Sequence, residues 1–257
     1  DAPALKRADI GVAMGITGTD VAKGAADMVL TDDNYASIVS AIEQGRIIYS
    51  NIRKFVFFLL SCNMAEIGTV FLATLFTPAS PLAAIHLLLV NLLTDGAPAL
   101  ALGMEKGDPD IMQQPPRPVK EPIINRSMVI GIIVQTIAIT ATVLLAYFIG
   151  LARRGLDAAR TMAFVTLAIS ELARAYTSRS ERVSLFKLGV LSNKYMQYAV
   201  LLSLVLLFSV VYIPVLQPFF KTVPLGLAEW EIVLPLIFVP AVIAELTKII
   251  TTSARRR

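Results

Sequence analysis

Residues 83–103 read AAIHLLLVNLLTDGAPALALG, an apolar stretch that contains Asn91, Thr94 and Asp95 near its middle. A helix of this length spans the hydrocarbon core of a bilayer, which requires about 20 apolar residues. The three polar residues are spaced so that they share one helical face. Pro98 follows them and removes the backbone hydrogen bond that would run to Thr94. The stretch therefore predicts a membrane helix that is unwound beside a buried carboxylate.

The composition of the whole sequence is that of a protein that crosses a membrane several times. Of its 257 residues, 56% are hydrophobic and 16% charged, whereas roughly a quarter are charged in a soluble domain. A large soluble helical core is excluded, because too few polar residues remain to coat its surface. Six apolar stretches have the length of a membrane span. They are residues 55–76, 83–103, 128–151, 161–177, 196–216 and 231–250.

Basic residues predict the orientation of these six spans. They cluster before the first span, between the second and third, between the fourth and fifth, and at the C-terminal end. The clusters are Arg46, Arg53 and Lys54; Lys106, Arg117, Lys120 and Arg126; Arg179, Arg182, Lys187 and Lys194; and Lys248, Arg255, Arg256 and Arg257. The positive-inside rule places them, and both ends of the segment, in the cytoplasm. Arg153, Arg154 and Arg160 lie on the predicted outer side and oppose this orientation.

The basic C-terminal tail is interpreted as an anchor that fixes the topology at the membrane surface. No nucleic-acid partner is therefore expected, although the net charge of the sequence is +4.

Residues 1–36 are polar and contain several glycines, unlike the rest of the sequence. Their pattern predicts a strand at 10–14, a helix at 19–26 with a Thr/Asp cap, and a strand at 28–30. This order is typical of the edge of an α/β domain. Because so few residues cannot bury a core alone, we expect a remnant of a larger soluble domain at 1–36, followed by a membrane part at 37–257.

A long helix is predicted over residues 35–75, with Asp32, Asp33 and Asn34 as its cap. Forty helical residues reach roughly 60 Å, which is more than a bilayer requires. We therefore expect this helix to connect the soluble domain to the membrane part.

Polar groups at mid-membrane depth carry the functional prediction. A charge at the bilayer centre costs at least ~2.5–3.5 kcal/mol on insertion scales, so intramembrane carboxylates usually mark functional sites. Carboxylate, amide and hydroxyl oxygens, without a cluster of His, Cys or Met, are typical of a site for a hard cation. The candidate ligands, from three different spans, are Asn63, Glu66, Asn91, Thr94, Asp95 and Glu171.

Some of these residues also have a purely structural interpretation. Asn63 can join two helices through hydrogen bonds, and Glu171 can pair with Arg174 one turn later. Cys62 and His86 are interpreted as packing residues. For the carboxylates of the first two spans taken together, the functional interpretation is favoured.

Several motifs resemble those of the P-type ATPase superfamily. Residues 1–6 (DAPALK) and 8–15 (ADIGVAMG) are similar to the segment that closes its phosphorylation domain. Residues 32–34 and the spacing of Gly45, Arg46, Tyr49, Asn51 and Phe55 in the long helix continue the resemblance. Residues 91–98 and 115–122 resemble the sixth membrane helix of calcium pumps and the cytoplasmic loop after it.

The resemblance implies the edge of an α/β haloacid-dehalogenase-like phosphorylation domain, followed by transmembrane helices five to ten. It also assigns ligands of two calcium sites and one residue near the catalytic magnesium. The first site corresponds to Asn63, Glu66, Thr94, Asp95 and Glu171, the second to Asn91 and Asp95, and the magnesium site to Asp1.

The implied activity is Ca²⁺ transport driven by ATP through an aspartyl phosphate, with Mg²⁺ and ATP bound by the intact pump. The sequence contains no Asp-Lys-Thr-Gly motif, so we expect this segment alone to be inactive. The implied partners are the bilayer, the actuator and nucleotide-binding domains, and helices one to four. The expected location is a plasma (inner) membrane rather than an organelle membrane.

Two alternatives remain open at this point. The same oxygen ligands suit a P-type pump for Na⁺, K⁺, Mn²⁺ or H⁺. A non-catalytic module of six membrane helices would also have this hydropathy pattern, but it has no need for residues 1–36.

Overall fold

A computed structural model describes residues 1–118, 121–180 and 183–255, without the side chains of Phe186 and residues 249–255. The described residues form two compact units. One contains Asp1–Ser50 and Gly107–Pro116, and the other contains Asn51–Lys106 and the residues that follow Pro116. Lys120, Arg182, Arg256 and Arg257, on which part of the orientation prediction rests, lie outside the described residues.

The first unit contains the predicted strand, helix and strand. They are β1 (Val12–Met14), α2 (Asp20–Ala25) and β2 (Met28–Leu30), preceded by a helix α1 (Ala2–Arg7) that the pattern did not indicate. The two strands are parallel, with Val12 opposite Met28. Thr19 caps α2 as predicted, because its hydroxyl oxygen accepts the Ala22 N–H at 3.2 Å.

The cap of the long helix α3 (Ala36–Phe76) differs from the prediction in one residue. Asn34 accepts the Ala36 N–H at 2.9 Å, and Asp32 accepts the Ser37 hydroxyl at 2.6 Å. Asp33 instead has a left-handed backbone, with φ of 52°, so its side chain leaves the helix. The Asp33 side chain therefore bonds to the loop after β1 and does not cap α3.

The Asp33 carboxylate accepts three hydrogen bonds from this loop. The donors are the Ile16 N–H at 2.8 Å, the Thr17 N–H at 2.7 Å and the Thr17 hydroxyl at 2.7 Å. These bonds favour the ionised carboxyl group, so they lower the pKa of Asp33 from its ordinary 3.8 to about 2.

The second unit is helical. Besides the rest of α3 it contains α4 (Ala84–Leu89), a π-helical segment (Val90–Asp95), α5 (Gly96–Gly103), α6 (Arg126–Arg154), α7 (Leu156–Thr177), α8 (Leu185–Leu188), α9 (Lys194–Tyr212), α10 (Gln217–Phe220) and α11 (Leu227–Arg255).

Five of the described helical segments are long and apolar enough to cross a membrane. They are Ala36–Phe76, Ala84–Gly103, Arg126–Arg154, Lys194–Tyr212 and Leu227–Lys248. They agree with the prediction of a mainly α, polytopic membrane protein. The sixth predicted span corresponds to α7, which is helical over 22 residues but less apolar than these five.

The enclosure of α7 explains its lower hydropathy. Sixteen of its 22 residues are buried, and it packs against α6, α9, α11 and the π-helical segment. A helix that is surrounded by protein need not present an apolar surface to lipid. The approach to α6 is close, because a Cβ atom added at Gly150 would lie 2.8 Å from the Ala159 Cα.

A buried polar network connects the ends of several helices in this unit. Arg179 donates from Nε and Nη2 to both carboxylate oxygens of Glu105, at 2.8 and 2.9 Å. Asn193 also donates to Glu105, at 2.8 Å, and Asn51 donates to the Glu105 carbonyl oxygen at 2.7 Å. The Glu105 carboxylate is thus buried and fully hydrogen-bonded, as a buried charge needs to be.

We predict that the Asp33 carboxyl group titrates at about pH 2 in the folded chain. Because this pKa lies below the unfolded value, the carboxylate stabilises the fold fully above about pH 4 and ceases to do so as the pH falls through about 2. Carbon-13 NMR of labelled aspartate side chains measures the midpoint. Thr17→Val removes one donor and should move it upward; a midpoint at the ordinary value in the unsubstituted chain would contradict the prediction.

Candidate functional site

The helix from Ala84 to Gly103 changes its winding at the predicted position, but it is not unwound. Val90–Asp95 forms a π-helical segment, and Gly96 keeps helical torsion angles, with φ of −62° and ψ of −52°. The prediction of an unwound backbone is therefore wrong. Pro98 has no N–H group to donate, and the wider π-helical turn accommodates the missing hydrogen bond while the chain stays helical. Such turns are frequent at functional sites.

Two carboxylates meet where this wide turn contacts α7. Asp95 is 1% exposed and Glu171 is 0% exposed. One carboxylate oxygen of each residue and the Cys62 Sγ atom, from α3, all lie within 4.8 Å of one another. Three helices therefore bring three potential metal ligands to one buried point.

No donor among the described residues makes a hydrogen bond to the oxygens of this pair. None of the four carboxylate oxygens of Asp95 and Glu171 has a hydrogen-bond partner within the part of the chain that the structure describes. Glu105, which is also buried, has the Arg179 and Asn193 donors instead. Unpartnered carboxylates are costly to bury, so this pair needs a cation or protons from outside the described residues.

The third predicted carboxylate has a partner. Both oxygens of Glu66 accept hydrogen bonds from the Asn91 side-chain amide, at 2.9 and 2.8 Å. The same amide nitrogen also donates to the Leu87 carbonyl oxygen at 3.0 Å. Glu66 is buried and Asn91 is exposed. Two of the predicted ligands thus form a pair that connects α3 to the helix of Asp95.

The other predicted ligands bond within their own helices. The Thr94 hydroxyl donates to the Val90 carbonyl oxygen at 2.8 Å, and the Asn63 amide donates to the Leu59 carbonyl oxygen at 2.8 Å. Their oxygen atoms keep acceptor capacity, which a metal ligand requires. Asp1, the residue predicted near a magnesium ion, is exposed at the start of α1 in the first unit.

The alternative pairing of Glu171 with Arg174 is wrong. Arg174 donates to the Thr177 hydroxyl at 3.0 Å, and its guanidinium carbon lies 4.6 Å from the centre of the Phe57 ring. The Glu171 oxygens have no partner among the described residues. The face of the Phe57 ring attracts the cation, and Arg174 contacts this ring instead of Glu171.

Cys62 is the residue that the sequence interpretation did not assign to the site. Its fully buried side chain agrees with a packing role, but its sulfur atom lies beside the carboxylates. The available signal was its spacing, because Cys62 precedes Glu66 by four residues and shares its helical face.

Comparison with known proteins identifies the family. A family profile described as "Cation transporting ATPase, C-terminus" matches residues 79–250. The chain belongs to this family. The cation-transporting ATPase segment is 44% identical to calcium-transporting ATPase 1 of Bacillus cereus over 97% of the chain, and 44% identical to a calcium-transporting ATPase of Bacillus subtilis over 93%. Over the full length of the segment, it is 41% identical to calcium-transporting ATPase type 2C member 1 of Pongo abelii.

These relatives confirm the resemblance to the C-terminal portion of calcium-transporting P-type ATPases. The segment covers 30%, 27% and 28% of the three relatives, so it spans less than a third of their length.

We predict that Asp95→Asn or Glu171→Gln stabilises the chain when no divalent cation is present. An amide can donate to the remaining carboxylate, and satisfying a buried polar group contributes roughly 1–3 kcal/mol. For a chain of this size that corresponds to several degrees in Tm. Thermal unfolding in detergent with a chelator measures the change.

Glu105→Gln is the matched control, because it places an amide beside Arg179, where the carboxylate has its donors. This variant should lower Tm. A lower Tm in Asp95→Asn and Glu171→Gln as well would show that their carboxylates are satisfied in the ion-free chain.

Proposed function

We propose that this chain is the membrane part of an ATP-driven pump that transports Ca²⁺. The buried pair of Asp95 and Glu171, whose oxygens have no donors in the described chain, is the observation that carries the proposal. The proposed ligand set extends to the oxygen groups that the sequence placed at the same depth. It consists of Asn63, Glu66, Asn91, Thr94, Asp95 and Glu171.

Charge balance supports a divalent cation. Ionised Asp95 and Glu171 carry two negative charges, and one Ca²⁺ ion neutralises this pair in the low-dielectric interior. Glu66, the third carboxylate of the proposed set, accepts its hydrogen bonds from the Asn91 amide. A single Na⁺ or K⁺ ion would leave one charge uncompensated. Ca²⁺ also takes six to eight oxygen ligands, which suits carboxylate, amide and hydroxyl groups. The relatives named above are calcium-transporting ATPases, which favours the same ion.

The wide turn and α3 provide a route from phosphorylation to the site. In the intact pump, ATP would transfer its γ-phosphoryl group to an aspartate outside this chain and leave as ADP, and Asp1 would help to hold the Mg²⁺ ion that assists this transfer. We infer that the phosphorylated domain moves α3, which carries Cys62 and Glu66. The hydrogen bonds from Asn91 to Glu66 then transmit this movement to the π-helical segment that holds Asp95. The ligands separate, and the ion leaves on the other side of the membrane.

The proposed function also implies roles for the other parts of the chain. Residues 1–36 form the edge of a haloacid-dehalogenase-like phosphorylation domain, and 37–257 form a stalk and six transmembrane helices, of which α7 is the enclosed one. The proposed orientation has both ends of the segment in the cytoplasm of a cell whose plasma (inner) membrane contains the pump. Its partners are lipid, the actuator and nucleotide-binding domains, and helices one to four.

We predict that Asp95→Asn and Glu171→Gln in the full-length pump each weaken Ca²⁺ binding by at least about tenfold, or 1.4 kcal/mol. Each substitution removes a charged ligand from a site that has no other cationic partner in the described chain. Isothermal titration calorimetry measures the affinity. Asp157→Asn, an exposed acidic residue at the start of the same α7, is the control and should bind Ca²⁺ as the unsubstituted pump does.

Formation of the phosphoenzyme tests the same assignment independently. Asp95→Asn should abolish its stimulation by Ca²⁺. Retained Ca²⁺-stimulated phosphoenzyme would contradict the assignment, and stimulation by Na⁺, K⁺ or Mn²⁺ in place of Ca²⁺ would contradict the choice of ion.

A further inference from the structure

Cys62 gives the carboxylate pair a chemical property that an all-oxygen site lacks. Its side chain is 0% exposed, and its Sγ atom lies within 4.8 Å of one oxygen of Asp95 and one of Glu171. Both carboxyl groups are buried and their oxygens have no partner among the described residues. The Cys62 sulfur is therefore one of three neighbouring ligand atoms, and the two carboxylate oxygens beside it are free to bind a metal.

The spacing of this group suits a small or medium-sized divalent cation. Ligand distances of about 2.3 Å for sulfur and about 2.0–2.2 Å for oxygen place tetrahedral ligands roughly 3.5 Å apart. The three atoms already lie within 4.8 Å of one another, so rotation of the side chains brings them into contact with one ion.

We propose that Cys62 is a metal ligand of this site and that the site binds sulfur-preferring divalent cations, represented by Cd²⁺ and Zn²⁺, in competition with Ca²⁺. The inference rests on the proposed function, since it takes Asp95 and Glu171 as the ligands of the transported ion.

The chemistry of the two kinds of ion separates the role of Cys62 from that of the carboxylates. Ca²⁺ takes oxygen ligands, so it gains little from a thiol. Softer cations bind thiolate strongly and displace its proton, which is released to solvent when the metal binds. Cys62 is thus a specificity-determining residue: it adds affinity for soft cations and leaves the affinity for Ca²⁺ nearly unchanged.

Ultraviolet difference spectroscopy of the full-length pump tests the proposal, because Cd²⁺ bound to a thiolate gives a charge-transfer absorption that Cd²⁺ bound to oxygen lacks. Addition of Cd²⁺ to the unsubstituted pump should produce this absorption, and excess Ca²⁺ should remove it. Cys62→Ser should abolish the Ca²⁺-sensitive part of the absorption and weaken Cd²⁺ binding at least tenfold. Its affinity for Ca²⁺, measured on the same sample, should not fall more than threefold, because the serine hydroxyl supplies an oxygen ligand in place of the sulfur.

Ser61→Ala is the matched control, since the Ser61 hydroxyl donates to the Phe58 carbonyl oxygen within α3 and is not part of the group. This variant should keep the Ca²⁺-sensitive absorption. Absorption that persists in Cys62→Ser, or that Ca²⁺ does not displace from the unsubstituted pump, would overturn the proposal.

The two proposals fail in different ways. A pump that binds Ca²⁺ but shows no Ca²⁺-sensitive Cd²⁺ absorption refutes the role of Cys62 alone. A pump that does not bind Ca²⁺ refutes the proposed function. If Cys62→Ser does not fold, Cys62→Ala, which also removes the thiol, provides the same comparison.

Discussion

The exclusion of water from two adjacent carboxyl groups is the constraint on which the membrane part of this protein depends. Asp95 and Glu171 come from different helices, and each is at most 1% exposed. Burial without donors is unfavourable, so the surrounding packing has to hold the pair in place. The free-energy cost of burying the pair also favours ion binding. An ion that takes the place of the missing donors binds most strongly where water cannot compete for the carboxylates.

The packing around the pair is arranged to meet this demand. α7 carries Glu171 inside the bundle, where contact with α6 and α11 fixes its rotation. The π-helical turn carries Asp95 and gives that helix a place where its winding can change. The Glu105–Arg179 network ties the helix ends together with fully satisfied charges. A network of satisfied charges at one end of these helices thus contrasts with the unsatisfied carboxylate pair inside the bundle.

The sequence predicted the long apolar helices, because hydropathy reports them directly, and it singled out the carboxylates of Glu66, Asp95 and Glu171, which the structure buries. It did not predict the wide turn, since Pro98 only shows that a hydrogen bond is missing and not how the backbone responds. The spacing of Cys62 and Glu66 places both on one face of α3. Whether that face meets Asp95 and Glu171 depends on how α3 is rotated against α7, which spacing within one helix does not show. The left-handed backbone of Asp33 could not be predicted for a similar reason, since its hydrogen-bond partners lie 16 and 17 residues away in the sequence.

Location of the ion in a structure of the full-length pump with Ca²⁺ tests the central claim most directly. Anomalous scattering from calcium should give a peak between the carboxylates of Asp95 and Glu171, at about 2.3–2.6 Å from oxygens of both residues. Calcium bound elsewhere in the membrane, with these two carboxylates still free of any ion, would contradict the account.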